Sequence, residues 1–333
     1  MNFSLTDEQR ALRDMARSLL AAHNPPARLR ELWEGAARKP DVWNALADVG
    51  LTGLLVAAEH GGAGGDAVDA VVVLHEAGRA CLPEPLLDTM AVAAPVLAAA
   101  GRDAATTWLP AIASGEATIA VQLADQPFAV DADVADALLV EVDGALHLVE
   151  RDGFRAIPVL SEDRSRRLFR TEFEAGRRVG DAALARRWGA LGTAALLNGV
   201  ADALLAMTLD YVKVREQFGV AVGSFQAVKH KLATVFASLE SATAATQLAA
   251  YAVATGAAGS DRAVSVAKVH AVAAESLANA EALQCHGGIG FTWEHDLHFW
   301  LKRGRALEHG YGTAGEHRRR IAAALLDAPT AKA

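Results

Sequence analysis

Apolar residues near the start of the chain recur at helical spacing: Leu5, Leu12, Met15, Leu19 and Leu20 share one stripe. Thr6 and Gln9 stand at capping-box spacing, so the pattern predicts a helix entered at Thr6. "KPDVWNALADVGLTGLLV" predicts a second helix, stopped near Gly50. "AEHGGAGGDAVDAVVVLHEAGRAC" reads as a glycine-rich loop running into a third helix. "LPEPLLDTMAVAAPVLAAAG" reads as a fourth, punctuated by Pro83 and Pro85. Residues 1–115 are therefore expected to form a helical domain.

The period changes near Gly115. "ATIAVQLA", "ADALLVEVDG", "ALHLVERDG", "FRAIPVL" and "RRLFRTEFEAG" are short Val- and Leu-rich runs, with turn signals at Asp143-Gly144 and Asp152-Gly153. They predict a small antiparallel β domain over residues 116–182. From Asp181 onward the helical period returns in three long segments joined by glycine turns. That pattern describes a four-helix bundle over residues 183–333. The expected fold is α+β multidomain: helical, then β, then helical. The terminal "APTAKA" reads as disordered.

Composition narrows the function. The chain has 333 residues, 52% of them hydrophobic, enough for a large core in two or three domains. A formal net charge of −8 with no basic block argues against a nucleic-acid partner. The two cysteines, Cys81 and Cys285, lie outside any CxxC pattern and read as core thiols in a reducing cytoplasm. "MNFSLTDEQR" has no charged segment followed by an apolar run, so no signal peptide is expected. Apolar stretches are interrupted before about 18 positions, so no membrane span is expected.

Two stretches carry candidate chemistry. In "REQFGVAVGSFQAVKHKLA", Arg215 ends a helix, and its planar fork suits a phosphate. Gln226 sits in the first turn of the next helix, whose free N–H groups favour anions. A surface arginine beside a loop is the plainer alternative. In "QCHGGIGFTWEHDLHFWLKR", Gly287, Gly288 and Gly290 let backbone approach a ligand closely, although glycines at helix ends are mostly caps. The spacing is not a dinucleotide fingerprint, and no strand precedes it. His295 and His298 are one turn apart, but a zinc site needs a third ligand, and Glu294 and Asp296 fall on other faces. No metal is expected.

The domain order and four motifs resemble the acyl-CoA dehydrogenase family over nearly the whole chain. "LTDEQRALRDMARSLL" is similar to its first helix. "EHGGAGGDAVDAVVVLHEAGRACLPEPLL" is similar to its P-E-x-Y-G-G-x-G loop, with Ala-Glu-His replacing Pro-Glu-Tyr. "REQFGVAVGSFQAVKHKLA" resembles its R-x-x-F-G…Q…H-x-L-A segment, and "QCHGGIGF" its Q-x-x-G-G-x-G-[FY] segment. The resemblance implies FAD. Arg215, Gln217, Phe218 and Gln226 would lie along its pyrophosphate and adenine. Gln284, Cys285, His286, Gly287 and Gly288 would approach the ADP part from a neighbouring subunit. It further implies an acyl-CoA substrate, an electron-accepting flavoprotein and an oligomer.

The sequence departs from that family at the reaction centre. Abstracting the α-proton of a thioester needs a carboxylate in a dry cavity, with its pKa raised toward neutral. The usual base is the Glu of an E-G-T motif. In "ALEHGYGTAGEHRRR", Gly312 and Thr313 match that motif, which places Thr313 at the cofactor, but Tyr311 stands where the Glu belongs. The second known base position falls on Gly189. A phenol with a pKa near 10 is a poor base at neutral pH. Glu308, three residues before Tyr311, is a candidate relocated base; Glu316 lies five after it. The stretch that meets the flavin ring, T-E-P-x-A-G-S-D-like in the family, is replaced here, with Gln122 and Asp125 as its polar remnants.

Three readings follow. The chain is a base-lacking subunit that completes the FAD site of a longer acyl-CoA dehydrogenase subunit, a self-sufficient enzyme using Glu308, or a structural homologue without flavin.

Overall fold

The computed structural model describes residues 5–174 and 176–326; the "APTAKA" tail lies outside them. The chain opens with α1 (Asp7–His23), α2 (Pro26–Trp33), α3 (Asp41–Asp48), α4 (Ala67–Arg79), α5 (Ala94–Ala99) and α6 (Arg102–Ala113). The expected capping box is present. Thr6 Oγ1 accepts from the Gln9 N–H at 3.2 Å, and Gln9 Oε1 accepts from the Thr6 N–H at 3.1 Å. Helix α2 starts at Pro26, whose fixed φ suits a first turn.

The segment Leu87–Ala93 ahead of α5 is a π-helix. Pro95 explains it. Its ring would clash with the carbonyl four residues back, and the widened turn relieves the clash. Thr89 in this segment donates through Oγ1 to the Ile119 carbonyl and accepts from the Ile119 N–H. The π-segment is thereby fixed to the first strand.

Seven strands follow: β1 (Ile119–Gln122), β2 (Ala129–Val130), β3 (Ala137–Val142), β4 (Ala145–Glu150), β5 (Phe154–Val159), β6 (Leu168–Phe173) and β7 (Arg177–Asp181). They form two sheets, ordered β1-β3-β4-β7 and β2-β6-β5. Asp143 and Gly144, at φ +49° and +80°, make the expected two-residue hairpin between β3 and β4. The all-antiparallel expectation needs correcting, because β1 pairs with β3 in parallel. The chain leaves β1, adds β2 to the other sheet and re-enters at β3 in the same direction. Asp152-Gly153 likewise is not a hairpin turn. It lies in a short 3-10 turn that carries the chain from one sheet to the other. Leu138, Val140, Val149, Phe154 and Phe169 bury a small core between the sheets.

The last part comprises α7 (Ala182–Val214), the hairpin β8 (Glu216–Gln217) and β9 (Val220–Ala221), α8 (Gln226–Ala254), α9 (Ser260–His286), α10 (Leu297–Glu308) and α11 (Ala314–Leu326). Helix α7 is apolar nearly all round because α4, α8, α9 and α10 surround it. By length and composition alone, α7 is long and apolar enough to cross a membrane. Of its most apolar stretch, 78% is buried inside the fold, as in a core helix. Its glycines let neighbours approach closely. A Cβ on Gly199 would overlap the His75 carbonyl, and one on Gly78 would lie 2.8 Å from Leu196 Cα. The α4–α7 crossing is thus backbone against backbone.

A buried charged cluster joins the three parts. Arg303 of α10 donates to Asp163 Oδ2 at 2.5 Å, to Ser165 Oγ at 2.9 Å and to the Leu82 carbonyl at 2.6 Å. Asp163 and Ser165 belong to the β5–β6 connection, and Leu82 follows α4.

Candidate functional site

A cavity of about 840 Å³ opens where the three parts meet, beside this cluster. Its wall is mostly apolar, with Leu82, Leu87, Val121, Phe128, Leu196 and Leu307 contributing. Asp88 and Tyr311 line it and are bonded to each other, the Tyr311 hydroxyl donating to Asp88 Oδ1 at 2.6 Å.

Tyr311 is 4% exposed and sits at φ +56°, a conformation that an L-residue holds only when its surroundings impose it. The surroundings do so from every side. Its ring lies on Gly189, where a Cβ would overlap it, 2.0 Å from Tyr311 Cδ1. His317 Nε2 meets its carbonyl oxygen at 3.1 Å, and His317 Nδ1 meets Ser265 Oγ at 3.1 Å. Burial lowers His317 to about 4, so it is neutral and donates through Nε2. Lys268, fully buried on α9, donates to the Leu307 and Gly310 carbonyls at 3.1 and 2.8 Å. These bonds satisfy the free carbonyls at the end of α10 and fix the turn that carries Tyr311.

The electrostatics follow from dryness. Burial raises Asp88 to about 6, against the opposing pull of the Tyr311 bond and the Arg166 charge. Burial and the neighbouring Asp88 push the Tyr311 phenol well above its ordinary value. Arg166 also lines the cavity; burial and the nearby Arg303 lower it.

Both sequence-level base positions therefore converge in space. They are filled by one tyrosine ring lying on one glycine. Glu308 is turned elsewhere. It accepts from Ser276 Oγ at 2.7 Å and from Arg305 at 2.8 Å, so it faces α9 and is no wall of the cavity. The relocated-base expectation for Glu308 fails on that geometry, because Tyr311, not Glu308, is the one of the pair that reaches the cavity. Thr313 and Glu316 do line it, but they cap α11: the Thr313 N–H and Oγ1 donate to Glu316 Oε2 at 2.6 and 2.9 Å. Asp88 was missed in the sequence. Its signal was a single acid inside the apolar run Leu86–Ala94.

The proposed cofactor residues gather at the other end of the bundle. Arg215, Gln217, Phe218 and Gln226 are exposed around the β8–β9 hairpin, and Phe218 is 91% exposed at φ +53°. Gln284 to Gly288 close α9 at the same end. Tyr211, one turn before Arg215, stacks on His286 with ring centroids 4.4 Å apart, and Lys231 pairs with Glu281 at 2.5 Å. Thr313 lies apart. Its neighbour His317 contacts Ser265, and 21 residues of α9 separate that point from His286. At 1.5 Å per residue, this is about 30 Å.

The fit to FAD differs between its two halves. At the adenosine-diphosphate end, a Cβ on Gly287 or Gly288 would meet nothing within 4 Å, so the backbone there is open to a ligand. His286 donates through Nδ1 to the Ala282 carbonyl at 2.8 Å, while its buried Nε2 has no partner among the described residues. Burial lowers His286 and raises the half-buried Cys285 thiol. At the flavin-ring end, the polar remnants are already engaged. Gln122 accepts from Thr171 at 2.5 Å, and Asp125 pairs with Arg186 at 2.6 Å. Among the described residues, no group of three or more His, Cys, Asp or Glu is placed to hold a metal.

Comparison with known proteins places this geometry. The acyl-CoA dehydrogenase N-terminal domain matches residues 6–116, and the C-terminal domain matches residues 181–326. The chain is 36% identical to the acyl-CoA dehydrogenase IpdE2 of Mycobacterium tuberculosis, over 97% of this chain and 99% of that protein. It is 32% identical to FadE34 of the same organism, over 96% of this chain but 48% of that longer protein. Among solved structures it resembles a Tcur3481-Tcur3483 steroid ACAD variant, with TM-score 0.88, 28% identity and coverage of 96% and 98%. It also resembles the ChsE4-ChsE5 complex of Mycobacterium tuberculosis, with TM-score 0.88, 25% identity and coverage of 99% and 100%. The chain belongs to the acyl-CoA dehydrogenase family of FAD-dependent oxidoreductases.

Proposed function

We propose that this chain is the base-lacking subunit of a heteromeric acyl-CoA dehydrogenase and completes the FAD site of a longer, carboxylate-bearing partner. One observation carries the reading: the positions of both familiar bases are occupied by the Tyr311 ring lying on Gly189. FAD supplies the hydride acceptor of α,β-dehydrogenation. In this reading Arg215, Gln217 and Gln226 bind its pyrophosphate and adenine, and Gln284 to Gly288 approach the ADP part. The exposure of Arg215, Gln217, Gln226, Gln284, Gly287 and Gly288 at one end of the bundle supports contact across a subunit boundary. The likeness to the Tcur3481-Tcur3483 and ChsE4-ChsE5 assemblies supports a hetero-oligomer and a bulky steroid-type acyl thioester. An electron-transferring flavoprotein would take the electrons. The test is co-expression with candidate longer homologues. A yellow complex that turns over acyl-CoA is expected from the right pair. A colourless complex, or a partner equally active without this chain, would contradict the proposal.

A second reading keeps catalysis in this chain, and one observation favours it. Asp88 is a carboxylate in a dry cavity, raised to about 6, which suits a general base. Against it, the Asp88 carboxylate is already engaged: it accepts from the Tyr311 hydroxyl at 2.6 Å and from the Val121 backbone N–H. Loss of turnover in Asp88→Asn, if the isolated chain turned over at all, would establish this reading.

A further inference from the structure

We propose that Tyr311 is a stopper closing the reacting end of this chain's own cavity, and that Asp88 is the positioning residue that latches it there. The inference rests on the base-lacking reading and goes beyond it. A missing base alone would leave an open cavity able to bind acyl-CoA unproductively. The geometry points to a cavity shut at the point of chemistry.

The argument is one of over-determination. Tyr311 holds a left-handed backbone conformation, which persists only where other contacts impose it. Its ring needs a residue without a side chain beneath it, and Gly189 provides that space. Its hydroxyl, buried in an apolar wall, needs an acceptor, and Asp88 provides one at 2.6 Å. Its carbonyl is held by His317, and the Leu307 and Gly310 carbonyls before it are held by Lys268. The π-helical turn that presents Asp88 is fixed independently, through Thr89 to β1. A tyrosine left over from a lost base would need none of this.

The test uses the full chain with FAD in excess, and butyryl-CoA as the binding probe in calorimetry. Tyr311→Gly removes the ring and suits the positive φ. It is expected to bind the probe at least about tenfold more tightly than wild type, a gain of roughly 1.4 kcal/mol. Equal affinity in the two would overturn the stopper. The latch is read by phenolate absorbance on raising pH. The chain has three tyrosines, and Tyr311→Phe identifies the step that belongs to position 311. Asp88→Asn keeps an acceptor for the hydroxyl but removes the neighbouring negative charge. It should move that step to lower pH, with Arg166 and His317 unchanged beside it. An unmoved step would overturn the role of Asp88, and this measurement stands even if Tyr311→Gly does not fold. Turnover by the isolated wild-type chain would instead overturn the base-lacking reading and leave both measurements interpretable.

Discussion

Replacing Arg303 with Met should cost more stability than any surface change in the chain. Arg303 and Asp163 have side chains 6% and 0% exposed, and they join three parts of the fold. The substitution removes the charge pair and the bonds to Ser165 Oγ and the Leu82 carbonyl. It leaves a carboxylate buried with only the N–H and hydroxyl of Ser165 at 3.1 and 2.7 Å. Breaking a buried pair on one side costs roughly 3–5 kcal/mol. The pair itself is worth less, because both charges were desolvated to make it. The double variant Arg303→Met with Asp163→Asn should therefore recover about 1–3 kcal/mol relative to additivity.

The pH dependence supplies an independent sign. In the wild type, burial would raise Asp163, but the Arg303 charge and its hydrogen bonds outweigh burial and hold it below the ordinary range. A depressed carboxylate contributes stability above its unfolded pKa of about 3.9, and loses it as pH falls toward the folded value. Without Arg303 the burial effect is opposed by the Ser165 bonds and the Arg166 charge alone, so the folded value rises. The variant should then lose stability as pH rises through that value. Denaturant unfolding of the full chain near pH 5 and near pH 8 reads both effects. The reasoning is refuted if Arg303→Met costs under about 1 kcal/mol, or if the double variant is merely additive.

Other outcomes follow from the same structure. Gly199→Ala should destabilise by about 1–3 kcal/mol despite better helix propensity, because its Cβ would overlap the His75 carbonyl and lie 2.7 Å from Arg79 N; calorimetric Tm reads it. Glu275 is raised to about 8 by burial, so the stability it contributes when protonated is lost as pH rises through that value. Glu275→Gln should remove that alkaline loss in unfolding curves at successive pH values. Arg215→Ala should weaken FAD retention in the assembled complex by about 1.5–3 kcal/mol, the worth of a charge-assisted contact, measured by flavin release.

The order of helical, β and helical parts was legible because each carries its own hydrophobic period, and the Thr6 capping box and Asp143-Gly144 hairpin are local chemistry. The parallel pairing of β1 with β3 was not, since it depends on a chain excursion to a second sheet. Helix α2 was missed: it opens on Pro25-Pro26, and proline stops a helix as readily as it starts one. At the site, the absence of a carboxylate at positions 311 and 189 was readable residue by residue. That the two positions meet was not, since α7 and the turn after α10 come together only in the folded chain. Asp88 was invisible for the same reason: its partner is 223 residues away. Glu308 shows the converse error. Helical spacing placed it near Tyr311, but Ser276 and Arg305 take its carboxylate toward α9.

The central claim is that this chain lacks the base and works only within an assembly. The most direct measurement is acyl-CoA dehydrogenation by the purified chain alone, with excess FAD and an artificial electron acceptor, on short, medium and steroid-like acyl-CoAs. General-base help contributes about 10²–10⁴ in rate. The account predicts no turnover above background, with activity appearing when a carboxylate-bearing partner is added. Turnover by the isolated chain in the usual enzyme range of roughly 1–10³ per second would contradict it.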